Sequence, residues 1–105
     1  MASGILGQSA PTGTTNTTVY TVPASTSSVV NVNVLNRGTA AATVRIALAA
    51  SGTPTNSEYL EYEATVPPKG VLERTGIVLD AGKLVVVYAS SSDTSVNVYG
   101  LETAV

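Results

Sequence analysis

From residue 17 onward, apolar and polar residues alternate along the chain with a period of two. Residues 17–22 are β-branched or aromatic and end at Pro23. Val30, Val32 and Val34 alternate with Asn31 and Asn33, the pattern of a half-buried strand. Asn36, Arg37 and Gly38 read as a tight turn in which the glycine is free to take positive φ. Beyond it Ala42, Val44, Ile46, Leu48 and Ala50 face one way while Thr43 and Arg45 face the other, so a second strand is expected to return beside the first as a hairpin. Gly52, Thr53 and Pro54 break the pattern. The next strand places Leu60, Tyr62, Ala64 and Val66 inward and Tyr59, Glu61, Glu63 and Thr65 outward. Pro67, Pro68, Lys69 and Gly70 cannot continue a ladder and predict a firm turn. A strand over 71–79 follows, with a bulge expected at Gly76, and Asp80, Ala81 and Gly82 turn the chain again. Residues 84–88 are apolar on both faces, which predicts a central strand. The last strand sets Val96, Val98 and Gly100 against Asn97, Tyr99 and Leu101.

Seven strands at roughly ten-residue spacing, with turn signals between them and no helical stretch of useful length, predict a two-sheet β-sandwich over residues 17–105. A helix over 40–50, attractive for its alanines, fails on its β-branched residues and its strict alternation. Residues 1–16 form the second unit, an extended N-terminal arm in which Ile5 and Leu6 stand out among Gly, Ser, Thr, Gln and Asn. Such a segment buries too little by itself to offset its ordering entropy. The arm is therefore expected to be tied down by Ile5 and Leu6, either across its own domain or on a neighbouring subunit.

Composition narrows the function. The chain has 105 residues and contains no His and no Cys, so the usual general acid/base and the soft metal ligands are missing. A chain of this mass buries about two-thirds of its unfolded surface, enough for one modest core. Charged residues make up 11% of it, well below the roughly 25% of ordinary soluble domains. Eleven Ser and fifteen Thr take their place, 26 of 105 residues. That coat has little side-chain entropy to lose against a neighbour, which suits a subunit packed in a large assembly or an adhesive surface domain. The net charge of −2 gives no footprint for nucleic acid or an anionic membrane, and neither partner is expected. No signal-peptide pattern and no apolar run long enough to span a bilayer is read, so the product is expected in the cytoplasm until assembly. Asn16, Thr17 and Thr18 match a glycosylation acceptor, a chance match in so Thr-rich a chain.

Few residues are candidates for chemistry. Glu61 and Glu63 lie two apart on one strand face and could share a cation, but no third acid stands at a loop spacing suited to Ca²⁺, and a solvated face explains them. Asp80 and Asp93 sit in turns, where Asp bonds local backbone. Lys69 and Lys83 are next to turn glycines, poorly placed to activate a serine, and the other glycines are isolated rather than grouped into a phosphate loop. No catalytic, cofactor or metal site is therefore read. Arg37, Arg45 and Arg74 are candidates for interface salt bridges, with Glu61, Glu63 or Glu73 as partners, or for unpaired surface arginines. Tyr62 and Tyr88 fall on apolar faces and read as core. Tyr59 and Tyr99 fall on mixed faces and are candidates for a contact patch or a glycan platform.

The motifs have a recognisable order. Val19-Tyr20-Thr21-Val22-Pro23-Ala24 is followed by Asn36-Arg37-Gly38 and by Ala41-Ala42-Thr43-Val44-Arg45-Ile46-Ala47-Leu48-Ala49. Then come Glu58-Tyr59-Leu60-Glu61-Tyr62, Leu79-Asp80-Ala81-Gly82-Lys83, Val87-Tyr88-Ala89-Ser90 and Val96-Asn97-Val98-Tyr99-Gly100. Over residues 19–102 this order resembles small virion proteins of tailed bacteriophages, particularly those of cyanobacteria. Many relatives carry Cys where Leu35 stands, a swap of core size only. The resemblance implies an immunoglobulin-like sandwich that serves as a structural module on the particle, in the head or in the tail.

The expectation is a non-enzymatic virion protein, most simply a capsid decoration or cement subunit. It would form a homo-oligomer, a trimer, at junctions between major capsid proteins. Its arm would lie over a neighbour and add backbone pairing at a sheet edge. Ile5, Leu6, Arg37, Tyr59 and Tyr99 are the interface candidates. The alternative is a tail- or fibre-associated module that binds a receptor or carbohydrate through Tyr59, Tyr99 and the Asn/Ser loops, and a small enzyme is the third and weakest reading.

Overall fold

A computed structural model describes residues 2–105. Eight strands follow one another among the described residues: β1 (Ser3–Ser9), β2 (Thr17–Thr21), β3 (Thr26–Asn36), β4 (Ala42–Ala49), β5 (Tyr59–Val66), β6 (Val71–Leu79), β7 (Leu84–Ala89) and β8 (Thr94–Ala104). The only helical piece among them is a three-residue 3₁₀ turn at Asn56–Glu58. The chain is all-β, with two antiparallel four-stranded sheets in the orders β1-β8-β3-β6 and β2-β7-β4-β5.

The sheets pack face to face through their alternating apolar positions. Val30, Val32, Val34, Ile77, Leu79, Val96 and Val98 come from the first sheet, and Tyr20, Val44, Ile46, Val66, Val85 and Val87 from the second. Valine dominates because its branched side chain has few rotamers to lose and fits a pleated surface. The expected central strand is one: β7 lies between β2 and β4.

Three expectations need correction. The strand count is eight rather than seven, because the segment read as an arm contains β1, which pairs with β8 of its own chain from Ser3↔Leu101 to Ser9↔Val96. Backbone pairing supplies what Gly- and Ser-rich side chains could not. The hairpin expected around Asn36-Arg37-Gly38 does not form, since β3 and β4 belong to different sheets. Asn36 is buried and pins this crossing: its Nδ2 donates to the carbonyls of Ala40 (2.8 Å) and of Val66 on β5 (3.1 Å), while its Oδ1 accepts from the Gly38 amide (2.9 Å). Gly38 is not left-handed. It is small because a Cβ there would sit 3.2 Å from Asn36 Oδ1 and 3.3 Å from Asp93 Cβ.

The third correction concerns β5. Its pairing with β4 passes from Val44↔Ala64 to Ile46↔Glu61, so Tyr62 and Glu63 both stand opposite Arg45, and Glu63 takes φ 53°. This bulge shifts the inside-outside alternation by one, and Tyr62 points out of the sandwich, 58% exposed.

Regularity and irregularity are sharply divided. The inner pairs β3·β8, over eleven consecutive residue pairs, and β4·β7, over six, run without a register shift. Every pairing that includes an edge strand has at least one: β1 at Ile5/Gly7, β2 at Thr18/Tyr20, β5 opposite both Val44/Ile46 and Ile46/Ala47, and β6 opposite Val30/Val32, where the expected Gly76 bulge takes φ 67°. Such bulges twist an edge away from the flat geometry that another strand needs to add to it. Side chains also tie the sheets together at their edges. Arg74 Nη1 on β6 reaches Glu61 Oε2 on β5 at 2.6 Å, and the Tyr20 hydroxyl on β2 donates to Glu102 Oε2 on β8 at 2.6 Å.

Candidate functional site

The outer faces of the two sheets differ, and the residues that could act on a partner lie there. On the first sheet Val29 of β3 stands directly opposite Leu101 of β8 and Val78 of β6. These three are 47%, 59% and 72% exposed and form an apolar row across three strands. Ile5 on β1, 60% exposed, extends it beside Tyr99. Of the two residues expected to anchor the arm, Leu6 does pack against the core, whereas Ile5 points into the open.

Beyond the row the middle of the face is polar and bonds to itself, and its far end is apolar again where Leu35 of β3 stands opposite Val71 of β6, 54% exposed. Tyr99 donates to Glu73 Oε2 at 2.6 Å, Gln8 Nε2 donates to Asn97 Oδ1 at 2.7 Å, and the Gly76 amide donates to Asn31 Oδ1 at 3.1 Å. The hydrogen bond to Glu73 raises the Tyr99 pKa, with desolvation second. Glu73 is the one ionised side chain on this face among the described residues.

The second sheet's outer face carries its own cover. Ala47, Ala49 and Val86 are buried there, beneath Tyr59 and Leu84. The segment over 50–58 folds back on the sheet, so that a Cβ at Gly52 would lie 3.9 Å from Thr18 Oγ1 on β2. Glu58 holds this segment closed. Its carboxylate accepts the Thr55 amide (2.8 Å) and the Ala50 amide (3.1 Å), and these bonds lower its pKa.

Next to the cover, Arg45 lies between two aromatic rings. Its guanidinium carbon is 4.2 Å from the Tyr88 ring centre and 4.6 Å from that of Tyr62, and its Nε donates to Glu63 Oε2 at 2.8 Å. Tyr59 meets Tyr62 edge-on, with ring centres 4.9 Å apart and planes at 80°. Both tyrosines read as core, Tyr62 and Tyr88, belong to this outer cluster instead. The bulge at Glu63 explains Tyr62, and the outward phase of β7 at Leu84, Val86 and Tyr88 explains the other.

The remaining candidates lie apart. Arg37, exposed in the β3–β4 connection, donates to the carbonyls of Ser92 (3.1 Å) and Thr94 (3.3 Å) and so binds its own chain. Glu61 and Glu63, expected on one face, are separated by the bulge and pair with Arg74 and Arg45. Among the described residues no group of three or more acidic, His or Cys residues is placed to hold a metal ion. Lys69 donates to the Arg37 carbonyl at 2.5 Å, and Lys83 lies 3.8 Å from Asp80. Compared with known proteins, the chain matches no family model, no curated protein and no solved structure.

Proposed function

We propose that the chain is an immunoglobulin-like sandwich acting as a non-enzymatic structural subunit of a tailed-phage particle, seated on the head lattice by the outer face of its first sheet. The observation that carries this reading is the exposed apolar row Leu101, Val29 and Val78 on three adjacent strands, with Ile5 of β1 diagonal to it opposite Tyr99. The order of motifs along the chain supports the phage assignment. The blunted edges argue for contact through a face rather than by strand addition, so the arm takes part through the exposed side chain of Ile5 and not by pairing its backbone with a neighbour.

Magnitudes favour many copies over one. Burying a large aliphatic side chain completely is worth about 1.5–3 kcal/mol, and these four are already about half covered, so the row supplies roughly 4 kcal/mol. Association alone costs on the order of 4–15 kcal/mol. A single chain would bind weakly through this row, whereas linked copies around a capsomer junction would hold by repeated contact. A homo-oligomer on a repeating lattice of major capsid protein meets that need.

Quantitative mass spectrometry of purified particles tests the reading. Copy numbers in the hundreds, reduced at least tenfold by Val29→Asp with Leu101→Asp, are expected. A handful of copies per particle, or unchanged occupancy by the double variant, would overturn it.

A further inference from the structure

We infer that the outer face of the second sheet binds a neutral hexopyranose in the corner between Tyr59 and Tyr62, beside Asn56. This goes beyond the structural role and needs only the isolated chain for its test.

The first ground is the strain that creates the corner. Glu63 sits in a strand at φ 53°, a conformation that costs a residue with a Cβ about 1–2 kcal/mol. Its consequence is to turn Tyr62 out of the sandwich. The ring is not needed as a lid, since the buried Ala47, Ala49 and Val86 are closed over by Tyr59 and Leu84. A bulge that re-aims one aromatic side chain onto an otherwise finished surface is a feature of binding sites.

The second ground is preorganisation. Tyr62 rests on Arg45, which Tyr88 and Glu63 fix in turn, and Tyr59 meets it in a T-shaped contact. Little rotamer freedom remains to be lost on binding. The two rings, at 80°, border an open hollow of about 370 Å³ that Asn56 completes. One ring offers a flat platform for the C–H face of a pyranose and the other flanks its edge. The Asn56 carboxamide offers both a donor and an acceptor to the hydroxyls.

Charge selects the ligand class. Arg45 is paired with Glu63, and Glu58 is occupied by the Thr55 and Ala50 amides, so the hollow has no free ion for an acidic or a basic sugar. A cation stacked on Tyr62 would face the guanidinium 4.6 Å from the same ring.

Saturation-transfer NMR with methyl glucoside, methyl galactoside, methyl mannoside and glucuronic acid tests the site on the purified chain. At least one neutral glycoside is expected to bind with a dissociation constant on the order of 1 mM. Tyr62→Ala and Asn56→Ala should each weaken it tenfold or more with the thermal midpoint held, while Tyr99→Ala, on the other sheet, binds as the parent does. Absence of transfer to every neutral glycoside overturns the proposal. So does a Tyr62→Ala chain that binds like the parent, or glucuronic acid binding more tightly than the neutral sugars. Copy number on particles is a separate measurement, so either reading can fail alone.

Discussion

The two sheets are built alike inside and differently outside. Both present valine-rich inner faces to one core, and in both an inner strand pair runs without a bulge between irregular edges. On the second sheet the small residues Ala47 and Ala49 let the 50–58 segment and Tyr59 settle down, and Val86 disappears beneath them. On the first sheet the corresponding outward positions hold Val29, Val78 and Leu101, with no segment among the described residues to close over them. Residues of the same chemistry thus have opposite standing. Val86 is part of the fold, and Val78 is surface that the fold leaves unused.

The sharpest way to break this contrast is to place the same substitution on both faces. Val86→Asp buries a carboxylate with no partner beneath the cover and should cost about 3–5 kcal/mol, enough to unfold much of a domain of this size. Val78→Asp, on a residue 72% exposed, should stay within about 0.5 kcal/mol of the parent. Urea denaturation of the two variants reads the difference directly. Similar midpoints would mean that the faces are equivalent after all.

A smaller effect tests what keeps the first face level. A Cβ on Gly100 would overlap the Val29 carbonyl oxygen and lie 2.9 Å from the Val30 Cα, so β8 and β3 approach more closely there than any other residue allows. Gly100→Ala must push the strands apart where Leu101 meets Val29, at a cost of roughly 1–3 kcal/mol. Gly4→Ala meets no atom within 4 Å and suffers only from its φ of 103°, so its cost should be lower, about 1 kcal/mol. Thermal melts rank the two, and the reverse order would remove the close approach as the reason for glycine at position 100.

How much of this could be read from the sequence depends on where side chains carry the signal. The run Leu84-Val85-Val86-Val87-Tyr88, apolar on both faces, marked β7 as central because it is covered on both sides, and Gly76 marked a bulge because a left-handed strand residue favours glycine. β1 was missed as a strand since a glycine-rich edge is held by backbone bonds, which leave no trace in residue type. Asn36-Arg37-Gly38 would serve a hairpin as well as a crossing between sheets, and only the carboxamide of Asn36, bonded to Val66, decides between them. The candidate site was half legible. Tyr59 stood out as an outward aromatic, but its partner Tyr62 was hidden, because the bulge that exposes it falls on a glutamate rather than a glycine.

The subtlest test concerns the cover itself. Glu58 has its pKa lowered in the folded chain by the amides of Thr55 and Ala50, so the carboxylate stabilises the closed segment at neutral pH. A lowered folded-state value means that this contribution is full above the ordinary glutamate pKa of about 4.3 and is lost as pH falls through the folded value. Hydrogen exchange at the Ala50 and Thr55 amides, corrected for the intrinsic pH dependence, should therefore accelerate as pH falls through the lowered folded-state value. Amides of the inner pair β3·β8 should hold their protection over the same range, because they bond to carbonyls of the facing strand rather than to a carboxylate. Glu58→Gln should show the fast exchange at pH 7 and no further acid response. If the variant instead keeps the protected amides and the acid step, the segment is closed by something other than this carboxylate, and the second face's cover loses its latch.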